Sequence, residues 1–121
     1  MPGNHPYTRV FVYGSLLDRK RQREIVGREL RMLPATLPAF ELRRARYFYI
    51  IANPTAVTKG AILMDLNSRD LDALDRYEGV PDLYTRQLVT VHTAANGRID
   101  CWCYMPTAGL TGRRASMVVG S

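Results

Sequence analysis

The segment "RDLDALDRYEG", residues 69 to 79, sets a carboxylate where an apolar side chain belongs. On a helix, Leu71 and Leu74 form an apolar stripe, and its next position, seven residues after Leu71 and four after Leu74, is Glu78. Asp72, Asp75 and Arg76 are expected to face outward. A buried, unpaired carboxylate is costly, so Glu78 must be paired, solvated or neutral. Desolvation and the negative end of the helix dipole both raise a carboxyl pKa toward neutrality. A carboxyl tuned in that way suits general acid/base catalysis. The alternative is structural: Glu78 bonds an arginine such as Arg86, or frays into water where the helix ends at Gly79.

A second stretch with chemical potential is "RVFVYGSLLDRKRQ", residues 9 to 22. An apolar run breaks at Tyr13-Gly14-Ser15-Leu16 and a charged, helix-like segment follows at once. This is either an ordinary strand-to-helix turn or a loop whose backbone N–H groups hold an anion.

The elements that must position these residues are short and mostly extended. Residues 9 to 13 read as a central strand, and Leu16 to about Val26 as a weakly amphipathic helix that Gly27 ends. Pro34 and Pro38 are expected to break the chain. "FELRRARYFYII" to Ile51 reads as extended, with a turn at Asn53-Pro54, and residues 57 to 66 as a strand in which Gly60 marks a bulge or a close backbone approach. The clearest helix starts at Asn67 or Ser68 and stops at Gly79. "YTRQLVTVHT" and "RIDCWCYM" alternate as strands around a hairpin turn at Asn96-Gly97.

With 121 residues, 46% of them apolar and 23% charged, the chain reads as one folded, soluble domain. The expected boundaries are a tail over 1–8, a domain over 9–106 and a second tail over 107–121. No apolar run has the length of a membrane span or of a signal peptide's apolar region, which favours the cytoplasm and no membrane partner. Cys101 and Cys103 are expected to share one strand face as reduced core thiols. His5 and His92 stand alone, so no metal site is expected. Seventeen Lys and Arg against eleven Asp and Glu give +6. Arg19, Lys20, Arg21, Arg23, Arg28 and Arg31 form one basic group, and Arg43, Arg44 and Arg46 a second. Either these are solvated faces or they meet nucleic acid, for which no recognisable basic-aromatic module is present.

Taken in order, Tyr13-Gly14-Ser15-Leu16, "LDRYEG" at 74–79 and "YTR" at 84–86 resemble the γ-glutamylcyclotransferase-like family, in particular its small AIG2-like members. "VTKGAILMDL" is similar to the family's strand before the catalytic helix, and the likeness runs from about residue 9 to 106. It implies an α+β fold with a small mixed, barrel-like sheet, two short helices and a central cavity between the first loop and the second helix. It implies a cofactor-free enzyme that cyclises a γ-glutamyl amine or γ-glutamyl amino acid to 5-oxoproline and releases the free amine. Glu78 would then be the acid/base, and Tyr13, Gly14, Ser15 and Leu16 would bind the substrate through backbone amides. Tyr84 and Arg86 match the "YxR" element, as ligand contacts or as support for the helix end. The stretch from Arg43 to Asn53, with Arg46, Tyr47, Phe48 and Tyr49, is expected near the cavity mouth, either choosing the leaving amine or serving as an edge strand. Tyr104 either lines the cavity or packs in the core. The competing class is a non-enzymatic module of the same fold that binds a small carboxylate or nucleic acid.

Overall fold

The computed structural model describes residues 6–44 and 48–108, and these form an α+β unit around a closed barrel. Its strands are β1 (Val10–Val12), β2 (Met32–Arg44), β3 (Phe48–Leu63), β4 (Tyr84–Thr93) and β5 (Gly97–Pro106), in the spatial order β1-β3-β2-β4-β5. β1 runs antiparallel to β3 and parallel to β5, with Val10 opposite both Leu63 and Trp102. β2 meets β4 at a single pair, Thr36 with His92. Two helices, α1 (Arg19–Val26) and α2 (Ser68–Glu78), pack on the barrel.

Alternation along β1 divides the core between two compartments. Val10 and Val12 join Leu16, Leu30, Leu74, Tyr84 and Tyr104 in the layer beneath the helices. Phe11 and Tyr13 join Leu37, Ile50, Ile62, Val91, Cys101 and Cys103 in a separate cluster. Both cysteines are buried and unbridged on one strand face, as the spacing of two implies. Burial pushes the Cys101 thiol up to about 12 and the Cys103 thiol well above its ordinary value.

Helix ends follow the local sequence. The Asn67 side chain accepts from the Asp70 amide while the Asp70 carboxylate accepts from the Asn67 amide, a reciprocal cap. Gly79 closes α2 at φ 74° and Gly27 closes α1 at φ 86°, both in the left-handed region. Asn96-Gly97 lies at the β4–β5 hairpin, where Thr93 pairs with Gly97.

Three sequence expectations are corrected. The first helix is two pieces: a 3-10 turn over Ser15–Leu17, then α1, for which the Asp18 side chain accepts from the Lys20 amide. Pro34 and Pro38 lie inside β2 rather than interrupting it. The chain does not reverse at Asn53-Pro54: β3 continues through it, but its register against β2 shifts there, with Pro38 opposite Val57 and Phe40 opposite Ala52. Asn53 produces a local turn inside the strand, accepting from the amide and hydroxyl of Thr55. The expectation at Gly60 holds. A Cβ there would lie 2.1 Å from the Val12 carbonyl oxygen and 2.9 Å from the Phe11 ring, so only glycine lets β3 approach β1 so closely.

Candidate functional site

Glu78 is the last residue of α2 and is fully buried, as is Leu74 on the same stripe. The carboxylate therefore lies under the helix instead of fraying into water. Its surroundings can be read from its charge: after burial itself, the Glu78 carboxylate is the largest influence raising the Tyr84 phenol, and it also raises Tyr104 and Cys103. Tyr84 and Tyr104 are both buried and belong to the layer beneath the helices. Glu78 is thus held within electrostatic reach of the start of β4 and the end of β5.

Arg86 takes a different partner from the one weighed in the sequence. Its Nε lies 2.8 Å from Asp75 Oδ1, and its guanidinium stacks over the Trp102 ring at 4.7 Å. Tyr104 donates its phenol proton to the same Asp75 oxygen at 2.7 Å. Asp75, expected to face solvent, instead joins α2 to β4 and β5, with only 21% of its side chain exposed. Asp72 and Arg76 are exposed as expected. Tyr84 donates to the Phe48 carbonyl at 2.9 Å, joining the start of β4 to the start of β3. Arg86 and Tyr84 therefore both make structural contacts around the end of α2.

The Tyr13-Gly14-Ser15-Leu16 loop leaves the end of β1. Tyr13 donates its hydroxyl to the Tyr104 carbonyl at 3.1 Å. The first hydrogen bond of the following turn runs from the Leu17 amide to the Gly14 carbonyl, so the amides of Ser15 and Leu16 precede it and have no partner within the turn. Leu16 is fully buried and anchors the loop in the core. Ser15 Oγ lies 2.6 Å from the hydroxyl of Tyr77, the residue immediately before Glu78. Loop and helix end, sixty-odd positions apart in sequence, are thereby joined by one short hydrogen bond.

Two parts of this arrangement went unread in the sequence. Gln22 is fully buried, donates to the Leu16 carbonyl at 2.9 Å and to Met32 Sδ, and accepts from the Leu30 amide at 3.2 Å. Its signal was present: it stands three and four positions before Ile25 and Val26, a polar residue on an apolar stripe like Glu78. The second is Arg21, whose Nη1 donates to the Tyr77 hydroxyl at 2.9 Å. Nothing in the one-dimensional pattern separates Arg21 from its basic neighbours.

The first basic group is largely engaged by acids. Arg19 and Arg23 pair with Glu29, Arg21 with Glu24, Arg31 with Asp65, and Arg28 with Asp70. This favours a solvated, ion-paired face. In the second group Arg43 pairs with Glu41 and Arg44 lies over the Phe48 ring at 5.3 Å. Arg46 and Tyr47 lie outside the described residues, as do His5 and most of the segment after Thr107. Among the described residues, no cluster of His, Cys, Asp and Glu is arranged to hold a metal ion, and no helix is long and apolar enough to cross a membrane.

Comparison with known proteins identifies the family and the fold. A protein of Methanocaldococcus jannaschii, described as a γ-glutamylcyclotransferase and putative RNase, is 25% identical over 105 residues, which is 84% of this chain and 47% of that protein. The chain thus spans about half the length of this curated relative. A solution structure from Arabidopsis thaliana matches with a TM-score of 0.76 at 28% identity, over 87% of this chain and 72% of the other. A structure described as a γ-glutamyl cyclotransferase matches with a TM-score of 0.73 at 24% identity, over 83% of this chain and 66% of the other, and shows the shared fold. The family profile described as "Gamma-glutamyl cyclotransferase, AIG2-like" covers residues 10–117, taking in the loop after β1, α2 and the β4–β5 hairpin. With that profile spanning most of its length, the chain belongs to the γ-glutamyl cyclotransferase, AIG2-like family.

Proposed function

We propose that this protein is a cytoplasmic cyclotransferase that converts a γ-glutamyl amine or γ-glutamyl amino acid into 5-oxoproline and a free amine, with Glu78 as the acid/base. The observation that carries this reading is the fully buried Glu78 carboxylate at the end of α2, next to the tyrosine that bonds the loop after β1. A γ-glutamyl amide contains its own nucleophile. The α-amine attacks the γ-carbonyl carbon, the new C–N bond closes a five-membered ring, and the bond to the departing amine breaks. Glu78 takes a proton from the α-ammonium and delivers it to the leaving nitrogen, and the second proton that the ring nitrogen sheds on becoming the lactam N–H passes to the same amine, which departs as an ammonium, so protons balance without a co-reactant. Because attack is intramolecular, the enzyme's first task is to fold the substrate into an attack geometry. The amides of Ser15 and Leu16 are suited to holding the polar end of the γ-glutamyl group, and the pairing of α1's arginines with acids favours a small substrate over nucleic acid.

The test is to assay 5-oxoproline formation from a panel of γ-glutamyl amides with the wild type and Glu78→Gln. The amide keeps the shape and cannot accept the proton, so the variant should remain folded and lose at least about 100-fold in kcat, as expected for loss of a general acid/base. Equal turnover by the two proteins would remove Glu78 from the reaction. A wild type that turns over no member of the panel would point to a binding module.

A further inference from the structure

Tyr77 is half-buried and stands between two groups of unequal capacity. Arg21 Nη1 is 2.9 Å from its hydroxyl oxygen and Ser15 Oγ is 2.6 Å from it. A guanidinium can only donate, so the phenol oxygen accepts from Arg21. The phenol's single proton is then available to Ser15, and the Ser15 proton in turn is free to point away from Tyr77. Donors aligned in this order strengthen one another. The chain begins at a fixed positive charge and ends at a loop whose first amides, those of Ser15 and Leu16, are not used by the turn.

The geometry points to an Arg21–Tyr77–Ser15 relay that turns the Ser15 hydroxyl into a polarised donor for the α-carboxylate of the γ-glutamyl substrate. This rests on the cyclotransferase reading, because it assigns the group that holds the anionic end of that substrate. An anion is the ligand that suits such a chain: every link donates toward it, and the charge at the far end has its opposite sign. Arg21 also pairs with Glu24 at 3.5 Å through its Nε, a weak surface contact between side chains about half exposed, which leaves Nη1 on the Tyr77 hydroxyl. Arg21 and Tyr77 are positioning residues in this scheme, since only Ser15 touches the substrate. The bond between Ser15 and Tyr77 also sets the loop's place relative to the adjacent Glu78. Binding of the carboxylate and alignment of the base thus share one hydroxyl.

The relay makes a prediction that a merely structural contact does not. Kd values are measured by NMR titration for 5-oxoproline, which carries the carboxylate, and for 2-pyrrolidinone, the same ring without it. The proteins are the wild type, Tyr77→Phe, Arg21→Gln and the double variant, each checked for native spectra. Tyr77→Phe and Arg21→Gln should each weaken 5-oxoproline binding about 3- to 10-fold, the worth of one polar contact, and leave 2-pyrrolidinone unchanged. Because Arg21 acts through Tyr77, the double variant should be no weaker than Tyr77→Phe alone. Multiplying losses in the double variant, equal losses for both ligands, unchanged 5-oxoproline affinity in the single variants, or no 5-oxoproline binding by the wild type would each overturn the relay. These outcomes are separate from those of the turnover assay: a wild type that binds 5-oxoproline through the relay yet turns over no γ-glutamyl amide refutes the enzyme and leaves the carboxylate site standing.

Discussion

Gln22 offers a direct way to ask whether the candidate substrate loop is held in place from beneath. Replacing it by leucine keeps the approximate volume and removes the donor to the Leu16 carbonyl and the acceptor for the Leu30 amide, at sites where both residues are buried. Each buried backbone group left unsatisfied costs roughly 1–3 kcal/mol, about 4 kcal/mol for the two. The added apolar surface returns about 2 kcal/mol, so Gln22→Leu should destabilise by about 2 kcal/mol. For a chain of this length that lowers Tm by about 8 °C. A second variant tests the direction of the bonds. Gln22→Glu can donate to the Leu16 carbonyl only while its carboxyl keeps a proton, so folding raises the pKa of that group. Its contribution is fully present below the unfolded value, about 4.3, and is lost as pH rises through the folded one. Thermal melts of wild type and both variants at pH 4 and pH 7 make the comparison. Gln22→Glu should approach wild type at the lower pH and fall away at the higher one. A Tm loss under about 2 °C for Gln22→Leu at pH 7, or a Gln22→Glu deficit independent of pH, would show that the loop is anchored by other contacts.

Gly60→Ala should cost at least about 3 kcal/mol, or abolish soluble expression, because its Cβ would meet the Val12 carbonyl and the Phe11 ring, backbone and core that cannot easily retreat; urea denaturation measures it. Asp75→Asn keeps the shape but removes the charge that Arg86 pairs with and weakens the acceptor for Tyr104; a loss of about 1–3 kcal/mol is expected, whereas Asp72→Asn on the exposed face should be neutral within about 0.5 kcal/mol. Stability should also decline with alkali. Burial holds Cys101 up near 12 and raises Cys103, Tyr84 and Tyr104 above their ordinary values. The folded protein therefore keeps protons that the unfolded chain releases from about pH 9 upward, and stability present below that pH is lost as pH rises. Urea midpoints at pH 7.5, 9 and 10.5 should fall in that order, and a flat series would contradict it.

What the sequence made legible were features encoded within a few residues. The capped start of α2, its left-handed end at Gly79, the glutamate on the apolar stripe and the hairpin at Asn96-Gly97 all depend on spacings shorter than one element, and all appear in the structure. The misreadings arose where tertiary contacts override local signals. Pro34 and Pro38 look like breakers, yet β2 accommodates both in its long pairing with β3. Asp75 has the spacing of a solvent-facing residue, but Arg86 and Tyr104 come from distant strands to meet it. The same holds for Arg21, one of several cations on α1 until Tyr77 is brought to it by the fold.

The closure of the barrel sets an order of events for a newly made chain. β1 has no neighbour that is close in sequence: Val10 pairs with Leu63 on one side and Trp102 on the other, and the Trp102 amide donates to the Arg9 carbonyl. Contacts this distant make folding slow relative to helical proteins, because loop-closure entropy must be overcome before they form. The loop that follows β1 consequently has no fixed frame while only the first half of the chain has emerged from the ribosome. α2 and its buried glutamate likewise await Tyr84 and Tyr104. A chain ending before Trp102 is therefore expected to lack the strand that closes the barrel beside β1 and, with it, the frame that holds the loop.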